Sequence, residues 1–194
     1  FTFDAGPTII TAPFMLEELW ALAGKTFSDD VELKLMEPFY RIRFDDGTWF
    51  DYNGDAAHMR AEVARFCPED LPSYERFLEE AAICYQKGFI ELGGVAYNTV
   101  SDLILAVPKM LQMRGWRSIH QMVCSHFKNE KLRIVMSFHP LLIGGNPLSV
   151  TCIYSLINTL ERRFGVHSAM GGTGAIIKGM VKLLEGLGGR IRYN

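Results

Sequence analysis

The chain has 194 residues, with 20 Lys and Arg set against 22 Asp and Glu. So even a balance excludes the broad basic surface that a nucleic-acid partner requires. Nearly half of the residues are apolar, with 13 phenylalanines and nine methionines; that is enough to bury a sizeable core in one domain or two and to leave adaptable apolar surface.

Residues 1–4 alternate apolar and polar as a short strand does, and Gly6-Pro7-Thr8 then turns the chain. Helical spacing follows over 14–23 (Met15, Leu16, Leu19, Trp20, Leu22, Ala23), with Gly24 as the stop. Residues 31–36, 40–44 and 48–52 are β-like, and Asp45-Asp46-Gly47 marks a hairpin between the last two. Together they predict a small antiparallel sheet with one wet face.

From Asp55 onward the pattern is almost wholly helical. Asp55 caps a helix ending near Phe66, and Pro68 opens a long amphipathic one that Gly93-Gly94 ends. Ser101 is the expected cap of a helix over 102–113, with Pro108 as a kink. That helix is apolar on nearly every side, so it is predicted to be buried or to face lipid. Helices over 116–128, 130–138, 149–163 and 175–187 follow, with a short extended stretch at 165–167 and a strand at 190–193.

Pro140 disfavours helical geometry at His139, so the helix over 130–138 should end there, with the imidazole at its rim. Gly144-Gly145-Asn146-Pro147 beyond it is either a tight turn between helices or a place where backbone approaches a ligand. Gly171-Gly172-Thr173-Gly174 precedes a helix and could seat an electron-rich group, although GxGxxG spacing is absent and a plain strand–turn–helix junction fits equally. Asp102 reads as a first-turn acid favoured by the helix dipole. Four scattered cysteines without a CxxC pair predict reduced thiols of a cytosolic protein, and five histidines without HExxH spacing predict no metal site. No run is long and apolar enough to span a bilayer. An opening in an extended Phe-Thr-Phe-Asp and a strand-like ending without a partner suggest an internal piece of a longer protein.

Six stretches carry a resemblance. They are Phe-Thr-Phe-Asp-Ala-Gly-Pro-Thr-Ile-Ile-Thr (1–11), Pro-Phe-Tyr-Arg (38–41), Ser-Ile-His (118–120), Ser-Phe-His-Pro-Leu-Leu-Ile-Gly-Gly-Asn-Pro (137–147), Ile-Tyr-Ser-Leu-Ile (153–157) and Gly-Gly-Thr-Gly-Ala (171–175). In this order they closely resemble the bacterial-type phytoene desaturases of the flavin-dependent amine-oxidase-like superfamily.

The resemblance implies an α+β fold: a mostly helical substrate or lid region (12–164) with a small antiparallel sheet, flanked by edges of an FAD-binding α/β domain at 1–11 and 165–194. It implies FAD-dependent desaturation of phytoene toward lycopene in the full-length enzyme, with the isolated piece inactive. Gly6, Pro7, Thr8, Gly171, Gly172 and Thr173 would lie against the flavin. His139, Leu142, Gly144 and Gly145 would line the substrate tunnel, and Asp102 and His139 would be the catalytic candidates.

Two departures stand beside the match. Ser168 replaces an expected aromatic residue, and Leu105 lacks a basic group often found one turn after the acid. A cytoplasmic, peripherally membrane-associated enzyme is implied, with lipid contact over 104–116 and room for a homo-oligomer. A related polyene oxidoreductase, isomerase or ketolase, or a non-catalytic apolar-ligand module, is the alternative.

Overall fold

A computed structural model describes residues 8–192. The strand expected at 1–4 and the turn residues Gly6 and Pro7 lie outside the described residues. The architecture is α+β, with helices dominant and, among the described residues, two two-stranded antiparallel sheets. Two compact units form: residues 8–37 with 164–192, and Pro38–Arg163.

In the first unit, α1 (Pro13–Leu22) opens on a proline, whose fixed φ and missing N–H suit a first helical position. Its Trp20 is fully buried, packs edge-on against Phe27 and donates its indole N–H to Asp30 at 2.8 Å. Lys182 of α8 (Thr173–Gly186) pairs with the same carboxylate. Lys182 and the Trp20 donor hold Asp30 below the usual carboxylate range. At Gly179 of α8 a Cβ would stand 2.7 Å from a methyl of Val31, so glycine allows this close helix approach.

β1 (Leu33–Leu35) pairs antiparallel with β4 (His167–Ala169), Lys34 lying opposite Ser168. This corrects the expectation that 31–36 joins the hairpin beside it. Pro38 interrupts the run between them, since proline cannot donate to a ladder. Residues 190–192 form no strand, correcting that part of the strand expected at 190–193; Tyr193 lies outside the described residues.

In the second unit, β2 (Tyr40–Arg43) and β3 (Trp49–Tyr52) form the predicted hairpin. Gly47 supplies the positive φ of its turn. Phe50 and Tyr52 point into the core while Trp49 stays half exposed, the alternation that a one-sided sheet requires. α2 (Ala56–Phe66) is capped as predicted, the Asp55 carboxylate accepting the His58 N–H at 2.6 Å.

The long helix expected after Pro68 is three pieces. A 3-10 turn (Pro68–Asp70) leads into α3 (Leu71–Cys84), which widens into a π-helical stretch (Tyr85–Glu91). Gly88 sits in the widened turn, where a Cβ would come 3.1 Å from a methyl of Ile153. Buried Asp70 accepts the backbone N–H groups of Lys128 and Asn129. It thereby ties the start of α3 to Asn129, the residue that caps α6 (Glu130–Ser137).

α5 (Ile119–His126) is shorter than predicted because Ser118 and Gln121 close a capping box at its start. The helix expected over 149–163 is likewise divided. A 3-10 turn (Cys152–Ser155), capped by Thr151, precedes α7 (Leu156–Phe164). Phe50, Tyr52, Met59, Phe77, Met122 and Leu132 are central members of the core these elements enclose. Among the described residues no helix is long and apolar enough to cross a membrane.

Candidate functional site

The residues singled out from sequence divide between the two units. Thr8, Gly171, Gly172 and Thr173 belong to the first; Asp102, His139, Leu142, Gly144 and Gly145 belong to the second.

In the first unit an antiparallel bridge joins Ile10 to His167. Residues 8–10 therefore run beside β4 away from the turn that holds the glycine pair, with Thr8 at the end near that turn. Gly171 and Gly172 both adopt positive φ, +84° and +78°, and lead directly into α8. Among the described residues no side-chain hydrogen bond from Gly172 caps that helix. A glycine pair at a helix N-terminus suits an electron-rich ligand group. The structure thus brings Thr8 toward the same end of β4 as Gly171–Thr173.

In the second unit α4 (Val100–Gln112) begins at Thr99, not at Ser101. Thr99 and Asp102 make a reciprocal capping box. The Thr99 hydroxyl accepts the Asp102 N–H, while the Asp102 carboxylate accepts the N–H groups of Thr99 (2.8 Å) and Asn98 (3.1 Å). The three-residue spacing of such a box selects Thr99. Hydrogen bonds from Thr99, side chain first and then backbone, hold Asp102 below the usual carboxylate range.

A carboxylate depressed in the folded state stabilises above its unfolded pKa, about 3.9, and that contribution fades as pH falls through the lower folded value. Asp102→Asn is expected to speed amide exchange at Thr99 at neutral pH and to remove its acid dependence. Thr99→Ala is expected to cost about 1 kcal/mol.

The sides of α4 are mostly bare. Only Ala106 is buried, while Val100, Leu103, Ile104, Leu105 and Leu111 are each more than half exposed. Beneath the helix lies a cavity of about 380 Å³ lined by Gly88, Leu92, Leu103, Ala106, Met110 and Ile153 among others. Tyr97, at its edge, directs its hydroxyl to the carbonyl of Leu92. The lining can hold an apolar chain and offers little to a polar one.

His139 opens the 3-10 turn His139–Ile143 and has no exposed surface. Its imidazole is not at a rim, as the sequence suggests, but under the loop. It packs against Phe138 and Tyr52, with ring centroids 4.3 and 5.3 Å away. Its Nε2 lies 3.1 Å from Oε2 of Glu161, which is equally buried on α7. The other Glu161 oxygen accepts the Tyr40 hydroxyl at 2.7 Å. Burial and this carboxylate push the Tyr40 phenol far above its ordinary range, so it remains a donor. Asn158, also on α7, donates to the Tyr52 hydroxyl.

Beyond His139 the chain closes on itself, the Gly145 N–H reaching the Pro140 carbonyl at 2.8 Å and Gly144 taking φ +73°. Leu142 is half-buried there, while Leu141, Ile143 and Leu148 project outward. Asp102 and His139 share no hydrogen-bond partner: one serves its own helix, the other Glu161.

No family model matches the chain. Similar curated proteins cover it from end to end. It is 43% identical over all 194 residues to a lycopene-forming phytoene desaturase of Pantoea ananas, covering 39% of that protein. It is 45% identical over 192 residues, 99% of the chain, to a neurosporene-forming phytoene desaturase of Cereibacter sphaeroides, covering 37% of it. Over the stretch it covers, the chain is similar to the phytoene desaturases. It spans less than two fifths of the length of these relatives. A carotenoid 3,4-desaturase of Haloarcula japonica is more distant, 29% identical over 97% of the chain and 39% of its own length. Phytoene desaturases matching this same stretch thus differ in the product they are named for.

Tyr40 lies in the Pro-Phe-Tyr-Arg stretch and Glu161 in the helix expected over 149–163, and neither has a role in the sequence-based expectations. A signal was present. Ile157, Leu160 and Phe164 place Glu161 on the apolar stripe of its helix, where an acid needs a partner.

Proposed function

We propose that this chain is the middle part of an FAD-dependent desaturase that introduces double bonds into phytoene during carotenoid synthesis. One observation carries the reading: 43–45% identity to phytoene desaturases along the whole chain. The apolar surroundings support it. A hydrocarbon offers no hydrogen-bonding handle, so affinity must come from buried area, at about 25 cal/mol per Å². The cavity under α4 and the loop carrying Leu142, Gly144 and Gly145 provide such area.

Thr8, Gly171, Gly172 and Thr173, with Gly6 and Pro7, are the residues proposed to lie against the flavin. The positive-φ pair at a helix N-terminus fits an electron-rich group. When bound, FAD would supply the acceptor for the hydride leaving the polyene. The chain's own residues bind and orient the polyene and keep water away. Of the two catalytic candidates, Asp102 lies at the surface with its carboxylate engaged in the cap of α4. His139 is proposed to support the substrate loop from below. The bare face of α4 is the proposed contact with the lipid in which phytoene dissolves, which makes the protein cytoplasmic and peripherally membrane-bound.

The test uses a full-length protein carrying this chain. It is expected to be yellow, with visible flavin absorption, and to convert phytoene into coloured products. A colourless protein that leaves phytoene unchanged would instead mean a non-catalytic apolar-ligand module. Gly171→Ala should lower the flavin retained after desalting, because a Cβ at that φ costs about 1–2 kcal/mol. The 194-residue chain alone is expected to retain none.

A further inference from the structure

We infer that Tyr40 and Glu161 are positioning residues that act through His139 to hold the apolar loop over residues 141–148 in the pose that receives an apolar chain. The inference rests on the substrate role proposed above for that loop.

Both carboxylate oxygens of Glu161 are engaged, one by a phenol from β2 and one by the imidazole at the first residue of the loop. Glu161 and His139 have no solvent exposure. A buried carboxylate held by two partners on different elements fixes distance and direction more strictly than apolar packing does. The His139 ring cannot swing, being packed between Phe138 and Tyr52. Tyr52 is itself held by Asn158 one turn before Glu161.

From this anchor the loop leaves by a single 3-10 turn and closes through Gly145 to Pro140. Gly145 has no room for a side chain, since a Cβ would meet Val150 at 2.9 Å. At the far end the Pro147 carbonyl accepts from His120 and the Val150 carbonyl from Ile119, tying the loop to α5. The base is therefore rigid and polar, while the exposed tip presents Leu141, Ile143 and Leu148. A side chain core needs no buried acid to be stable. What the acid adds here is a fixed pose for an apolar tip that the rest of the unit leaves uncovered.

The test compares Tyr40→Phe, Glu161→Gln and the tip variant Leu141→Ser/Ile143→Ser in a full-length protein carrying this chain, well below each variant's melting temperature. Binding of cis-parinaric acid, a fluorescent conjugated polyene, is the first readout. The ratio of neurosporene to lycopene formed from phytoene is the second. Tyr40→Phe keeps the ring and loses one hydrogen bond, so it remains usable should Glu161→Gln fold poorly.

All three variants are expected to raise the Kd for parinaric acid roughly three- to tenfold. Tyr40→Phe should also shift the product ratio while flavin content stays unchanged. Unaltered parinaric binding and product ratio in Tyr40→Phe would overturn the inference and leave the network purely structural. So would unaltered binding in the tip variant. If the unsubstituted protein forms no desaturated product, the desaturase reading falls, and the parinaric titration still decides the positioning claim.

Discussion

Glu161→Ala is expected to lower the stability of the Pro38–Arg163 unit by about 3–5 kcal/mol. Urea or thermal unfolding, followed by far-UV dichroism of a full-length protein carrying this chain, would measure it. The loss has two sources. The Tyr40 hydroxyl and the His139 imidazole both lose the carboxylate they share, and the imidazole is fully buried. The cavity left by the side chain then forfeits its packing contacts. Tyr40→Phe removes only one hydrogen bond and is expected to cost about 1–2 kcal/mol.

The double substitution His139→Leu/Glu161→Leu separates the two sources. It removes the buried polar pair together and fills the space, so most of the lost stability should return. Its expected defect is in the loop and its ligand. Should Glu161→Ala unfold at the same urea concentration as the unsubstituted protein, the carboxylate would have to be solvated, contrary to its complete burial.

How much of this was legible in the sequence differs by residue. Local chemistry read well wherever a few neighbouring residues decide the outcome. Asp55 before α2 and Asp-Asp-Gly between β2 and β3 needed only hydrogen bonds within four residues. The partner of β1 did not read, because it lies more than 130 residues away in β4, and nothing near residue 35 names it. At the start of α4, Ser101 is the expected cap, and Thr99 has an equally suitable side chain. Only the reciprocal acid three residues on separates them, and Asp102 answers Thr99.

The candidate site was legible in part. The glycines before α8 declared themselves as a helix entry. His139 was found as a special residue with the wrong surroundings, since Pro140 fixes where the helix ends but not what covers the ring. Glu161 falls in the last turn of the helix expected over 149–163, where nothing local names its partners. Its actual partners come from residues 40 and 139, and such long-range pairing follows from packing rather than from local pattern.

The exposed face of α4 leads to the second large expected effect. In the proposed function, Leu105→Glu/Leu111→Glu should reduce flotation of a full-length protein with liposomes by on the order of 100-fold or more. Burying a leucine is worth about 1.5–3 kcal/mol, and each 1.4 kcal/mol is tenfold. Both side chains are already exposed, 74% and 57%, so the fold should tolerate the change, with melting temperature as the check. Ile134→Glu, at a half-exposed apolar position on α6, is the control expected to float unchanged.

Salt distinguishes the mechanism. Lys109 is paired with Glu91 at 3.3 Å, and Arg117 with Glu80, so two of the nearby cations are already engaged within the protein. Attraction to lipid would then come from apolar area, and flotation should change little when ionic strength is raised, whereas a headgroup-driven contact would weaken as screening shortens its range. Undiminished flotation of the double variant would remove α4 from the lipid contact and leave its apolar face to a protein partner.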